Sequence, residues 1–173
     1  GSEESRVTFT LGQVYAYLGL LRSGEARVSW FRQAEQALHR AVKRAPFNAA
    51  YHYALAWLYQ EWGKVEAASP YLKNATYLEP QNPFYRFKFG KNQFMLGKKQ
   101  SAQILFKETI RINGAYVEPI LRFLTSGQRE VTLDQLQVLL PEDARREEVK
   151  HYLAAFFDQQ GDFQIAEGIR QFP

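Results

Sequence analysis

Apolar side chains fall at helical intervals along this chain, and short polar or glycine-bearing breaks interrupt them. Between Val7 and Arg22, the residues Phe9, Leu11, Val14, Tyr15, Leu18 and Leu21 recur at spacings that line one face of an α-helix. Ser23-Gly24-Glu25 breaks the run, and a second helix is expected over about Arg27 to Ala45, carrying Ala34, Leu38 and Ala41. The stretch from Asn48 to Pro80 repeats the scheme. Leu55, Ala56 and Tyr59 share one face, Gly63 makes a tight turn, Ala68, Leu72 and Ala75 follow, and Pro80 stops the pattern. Asn48 suits an N-cap, because its side chain can accept a bond from an orphaned backbone N–H. Pro70 conflicts with a straight helix, since proline lacks a donor and clashes with the preceding turn. The helix therefore either starts near Ser69 or bends at Pro70, and a bend is favoured because Ala68 keeps its place in the pattern.

The pattern is periodic. Pro46 and Pro80, Gly63 and Gly97, and Ala68 and Ala102 are each 34 positions apart. Asn82-Pro83 opens the next unit as cap and first helical residue, with Phe89 and Gly90 at the positions of Leu55 and Ala56. Gln93 replaces Tyr59, which loosens one packing layer. Gly114 stands where Pro80 stood, and is expected to stop its helix as a C-terminal glycine. Gly12 to Ala34 spans 22 positions against 12 from Ala56 to Ala68. The first hairpin should therefore have longer helices and a longer turn, with Trp30 and Phe31 capping the end of the stack or docking a flanking segment. After Gly114 the register fails. Ala115 to Thr125 reads as a short helix, Ser126-Gly127-Gln128 as a turn, and Thr132 with Gln135 as a capping box for a helix through Leu140, stopped by Pro141. Leu153, Ala154, Phe157, Gly161 and Ala166 then restore the earlier spacing, and a final helix should run to about Gln171.

These small residues, glycine turns and terminal prolines resemble the tetratricopeptide repeat, a helical-hairpin family with a period of about 34 residues. The resemblance covers roughly residues 5–116 and 147–171. It implies an all-α fold, an α-α superhelix (solenoid) of about ten helices. The units are expected at about 5–48, 49–82 and 83–116, with divergent helices over 117–146 and a final partial unit over 147–173, all in one repeat domain. Stacked hairpins bury a continuous core and leave one inner wall free. In this family the first helix of each hairpin lines that wall. The resemblance thus implies a peptide-binding groove of Gln13, Tyr17, Tyr53, Trp57, Phe87, Lys88 and Lys91. Aromatic rings there offer contact area at low entropic cost, and the lysines attract acidic groups. The plainer reading is that rings such as Phe9, Phe84 and Phe94 only pack between adjacent hairpins. A family clamp for a C-terminal carboxylate would fall on Phe9, Gln13, Ala54, Phe84 and Lys88, where only Lys88 has suitable chemistry.

Composition narrows the function classes. With 46% hydrophobic and 15% aromatic residues, the chain has enough apolar surface to offset ordering. The net charge of +4 is spread as alternating Lys/Arg and Asp/Glu, without the clustered stripe that nucleic acid needs. The absence of Cys excludes disulfides and cysteine-based metal sites and leaves the compartment open, cytoplasmic or periplasmic. No apolar run is long enough to span a membrane and no signal peptide opens the chain, while Gly1-Ser2 looks like a cloning scar. His39, His52 and His151 show no paired ligand spacing and read as surface or packing residues. Glu3-Glu4, Glu142-Asp143 and Glu147-Glu148 sit near helix starts, where the helix dipole accounts for them. No catalytic, cofactor or metal site is expected. The reading is a non-catalytic scaffold that binds a peptide or protein segment. The alternative is a docking or regulatory domain of a larger protein, such as a bacterial envelope-polysaccharide membrane enzyme. Self-association through Phe156 or Phe172 is a third expectation.

Overall fold

The computed structural model describes residues 2–127 and 130–173. Gly1 of the suspected scar and Gln128 of the expected turn lie outside them. Among the described residues are ten α-helices, a single 3-10 turn and no strand. The chain divides into two compact units that meet at the Pro80–Gln81 junction.

The first unit holds α1 (Glu3–Leu20), α2 (Gly24–Arg44), α3 (Ala49–Glu61) and α4 (Val65–Leu78). The α1–α2 hairpin closes through glycines. A Cβ on Gly12 would lie 2.7 Å from Leu38 Cγ, and one on Gly19 would lie 2.5 Å from Phe31 Cδ1. Phe31 is therefore fully buried and meets Trp62 edge-on, so it is a core residue and does not cap the stack. The extra residues of this hairpin lie in the helices, 18 and 21 residues long against 13 and 14 for α3 and α4. The turn is no longer than its counterpart, since Leu21 to Ser23 matches Trp62 to Lys64. In α3 and α4, fully buried Leu55, Ala56, Leu58, Ala68, Leu72 and Ala75 make the contact. The fourth helix runs through Pro70 from Val65, so it does not start at Ser69. The Asn48 side chain accepts from the N–H groups of Ala50 and Tyr51. Gly63, at φ +77°, ends α3: its N–H reaches Gln60 O at 3.0 Å and Lys64 N–H reaches Tyr59 O at 2.8 Å. This is the double bond of the Schellman ending.

The second unit holds α5 (Pro83–Met95), α6 (Lys99–Ile112), a 3-10 turn (Gly114–Tyr116), α7 (Val117–Thr125), α8 (Leu133–Gln137), α9 (Arg146–Gln160) and α10 (Phe163–Arg170). Asn82 caps α5 as Asn48 caps α3. Gly97 and Gly161 repeat the Schellman ending, with Lys98 N–H on Gln93 O and Asp162 N–H on Phe157 O, both at 2.9 Å. Gly114 differs. The sixth helix ends at Ile112, Asn113 is extended, and its side chain caps the 3-10 turn that Gly114 opens. Gly114 is thus not a left-handed C-cap. The Thr132–Gln135 capping box forms, but its helix stops at Gln137 and leaves Leu139 and Leu140 in a turn, both buried.

The core of this unit is drawn from every one of its helices and includes Phe106, Ile120, Leu121, Leu136, Leu153 and Ile169. Phe156 and Phe172 belong to it, at 7% and 9% exposure. They are buried rings, so the expected self-association surface on them does not exist. Gln93 is buried, donating to Asn92 Oδ1 at 3.1 Å and facing Ser101 Oγ at 3.4 Å. Hydrogen bonds thus fill the place of the lost tyrosine.

Candidate functional site

In the first unit α1 and α3 lie side by side, and helical spacing brings one face of each onto a shared groove. Gln13 and Tyr17 stand one turn apart on α1, as do Tyr53 and Trp57 on α3, with Phe9 and Ala50 a turn earlier. The groove encloses about 700 Å³ between these helices, closed below by Ala16, Leu38 and Ala54. Its walls contain no charged side chain. Gln13 and Tyr17 are exposed, Tyr53 and Trp57 half-buried. Phe9 stacks on Tyr51 with ring centroids 4.4 Å apart, so it packs between helices and also forms the end of the groove.

The second unit carries Phe87, Lys88 and Lys91 on α5. Phe87 is buried at 9% exposure against Phe106 and Tyr116, so this ring supports the surface from below and offers a partner little area. The two lysines lie over aromatic faces: Lys88 Nζ is 5.2 Å from the Phe84 ring, and Lys91 Nζ is 5.6 Å from Phe87 and 4.9 Å from Phe123. Neither takes a carboxylate partner among the described residues. Burial, and then the neighbouring Lys88 charge, push the Lys91 ammonium below the ordinary lysine range. An anion arriving beside it would relieve that repulsion.

Behind the groove, α2, α3 and α4 share a polar aromatic cluster. The Tyr59 hydroxyl donates to Glu35 Oε1 at 2.7 Å and lies 3.0 Å from His39 Nε2. Tyr71 packs against Tyr59 and both histidines. His52, buried, donates from Nε2 to Pro46 O at 2.8 Å. Burial first, and then the Glu35 carboxylate, push the Tyr59 hydroxyl far above its usual range. The i,i+4 spacing of Glu35 and His39 on one helix was the available signal for this cluster, but only folding brings Tyr59 and Tyr71 to it. Among the described residues no group of three or more acidic or histidine side chains could hold a metal ion. Among them, too, no helix is long and apolar enough to cross a membrane.

Paired antiparallel helices, small residues at each crossing and a repeated glycine ending define the class: an all-α array of helical hairpins. Residues 49–82, which form the α3–α4 hairpin, match the family model of the tetratricopeptide repeat. Solved structures agree in fold. The crystal structure of MamA has a TM-score of 0.53 at 18% identity, over 82% of this chain and 85% of that one. The Sgt2 TPR domain from Aspergillus fumigatus gives 0.54 at 16% identity, over 76% and 88%. The P58(IPK) TPR domain gives 0.53 at 18% identity, over 98% of this chain and 51% of that one. No curated protein matches by sequence.

Proposed function

We propose that this chain is a non-catalytic interaction scaffold, and that the groove between α1 and α3 seats an extended or helical peptide through an uncharged, apolar anchor. The uncharged wall of Gln13, Tyr17, Tyr53 and Trp57 supports this reading most directly. Two half-buried rings of α3 stand over an apolar floor of Ala16, Leu38 and Ala54, so an inserted side chain can displace water without leaving a charge unpaired. Gln13 and the Tyr17 hydroxyl, both on exposed residues, can bond a peptide backbone from the rim. Separately, the Lys88–Lys91 surface of the second unit is proposed to favour an acidic side chain or a terminal carboxylate, because both cations lack a carboxylate partner among the described residues and one is partly desolvated.

Selection of binders from a random peptide library, followed by calorimetric titration, tests both. Trp57→Ala is expected to weaken selected peptides by about 2 kcal/mol, the cost of losing a central aromatic anchor. Lys91→Glu is expected to remove any preference for a free over an amidated C-terminus. Affinities unchanged by Trp57→Ala and Tyr53→Ala together would count against the groove.

A further inference from the structure

The link between α6 and α7 carries Asn113 followed by Gly114, and none of the other four asparagines precedes a glycine. Asn113, Gly114 and Ala115 are all exposed. Asn113 is extended at φ −148° and ψ 107°. Its side chain folds forward past Gly114, and Oδ1 accepts from Ala115 N–H at 3.0 Å. That bond draws electron density from the amide carbon Cγ and steadies a negative charge that forms on Oδ1. The Gly114 N–H takes no acceptor among the described residues, and the space a Cβ would fill there is open. An activated amide carbon and an unhindered backbone nitrogen therefore meet in one exposed loop. The other asparagines are guarded. Pro83, after Asn82, has no N–H to attack with. Asn74 and Asn92 lie inside α4 and α5, where the next N–H is held in the helical ladder. Ala49, after Asn48, is buried and carries a Cβ in the path of attack.

We infer that Asn113 is a site of spontaneous covalent modification, losing its side-chain amide through a cyclic imide formed with Gly114. The Gly114 nitrogen gives up its proton and bonds to Asn113 Cγ. The Cγ–Nδ2 bond breaks, and Nδ2 takes up a proton and leaves as ammonia. Water then opens the ring. Opening at Cγ leaves aspartate. Opening at the main-chain carbonyl carbon leaves isoaspartate, whose backbone runs through the former side chain and is one methylene longer. The two products differ in what they do to the fold. Asn113 N–H donates to Thr109 O at 2.9 Å, and Asn113 O accepts from Tyr116 N–H at 3.1 Å. Aspartate keeps both bonds and the cap on Ala115, with a charge that the start of a helical turn favours. Isoaspartate turns the main-chain carbonyl into a carboxylate and lengthens the link, which unseats the Tyr116 ring from Phe87.

Incubation of the folded full chain in mildly alkaline buffer, followed by peptide mapping with mass spectrometry, is the test. The peptide holding Asn113 is expected to gain the mass of amide-to-acid conversion more than about tenfold faster than peptides holding the other asparagines. The rate should rise with pH, because the attacking nitrogen must first lose its proton. Gly114→Ala is expected to slow the conversion by more than about tenfold, since a Cβ crowds that nitrogen. Gly114 has open space around it and lies outside the left-handed region, so this variant keeps its fold. Digestion with a protease that cuts before aspartate but not before isoaspartate separates the products. Isoaspartate chains should melt at lower temperature than Asn113→Asp chains. Asn113 left intact in the folded chain while the urea-unfolded chain converts would mean that the fold shields the pair, and overturns the inference. Equal rates in wild type and Gly114→Ala would mean direct hydrolysis and overturn the cyclic route. Equal melting of isoaspartate and Asn113→Asp chains would overturn the structural consequence.

Discussion

Gly12 and Gly90 show what a missing side chain does in this molecule. Each lets a large residue of the paired helix sit where its own Cβ would be, Leu38 at 2.7 Å and Phe106 at 2.6 Å. Alanine gains helix propensity of about 1 kcal/mol, but overpacking of a tight contact costs about 1–3 kcal/mol. Gly12→Ala and Gly90→Ala are therefore expected to lower the urea midpoint. Gly63 has open space around it, so Gly63→Ala tests its left-handed backbone alone and should cost about 1 kcal/mol. Tyr59 is a different kind of position. Its hydroxyl and that of Tyr71 are both held above the usual range, by burial first. In the unfolded chain tyrosine ionises near pH 10, while the folded state keeps these groups neutral. Stability is therefore intact below about pH 10 and lost as pH rises beyond it. Tyr59→Phe should lose about 1 kcal/mol of hydrogen bonding at neutral pH and show a shallower decline in melting temperature above pH 10.

At the level of elements, each hairpin is punctuated locally. Asn48 and Asn82 start α3 and α5 by the same bond to backbone N–H groups, and Gly63, Gly97 and Gly161 end their helices by the same pair of bonds. Asn48→Ala is expected to destabilise the first unit by about 1 kcal/mol, read from chemical denaturation. Arg27 links one hairpin to the next, donating to Glu61 O at 2.7 Å while its guanidinium lies over the Phe31 ring. It satisfies a carbonyl that α3 leaves without a partner. The cap residues and glycine endings were legible because a few adjacent residues decide them. Gly114 was misread because its role depends on Asn113, which is extended and caps the following turn. The added length of the first hairpin was legible as a residue count. The longer helices expected from that count form, but the longer turn does not, since the turn is the same length as that between α3 and α4.

At the scale of the whole molecule, the divergent stretch after Gly114 is where local pattern and tertiary role part most clearly. Leu136, Leu139 and Leu140 lie outside the 34-residue register, yet all are buried in the second unit. That unit closes its own core, so a chain cut between Pro80 and Gln81 is expected to leave residues 81–173 with a cooperative thermal melt by circular dichroism. A broad, non-cooperative loss of helicity would contradict that independence.

The sequence by itself determined the helices, their hairpin pairing and the tetratricopeptide repeat at residues 49–82, because a helical period and its caps are written in neighbouring residues. Four of the side chains it picked out, Gln13, Tyr17, Tyr53 and Trp57, lie among those that line the first-unit groove. Only the tertiary structure decided which aromatic rings remain open to a partner. Phe87, Phe156 and Phe172 are buried, whereas Tyr17 is exposed. Periodicity says that a face is apolar, but what lies against that face depends on contacts between residues far apart in the chain.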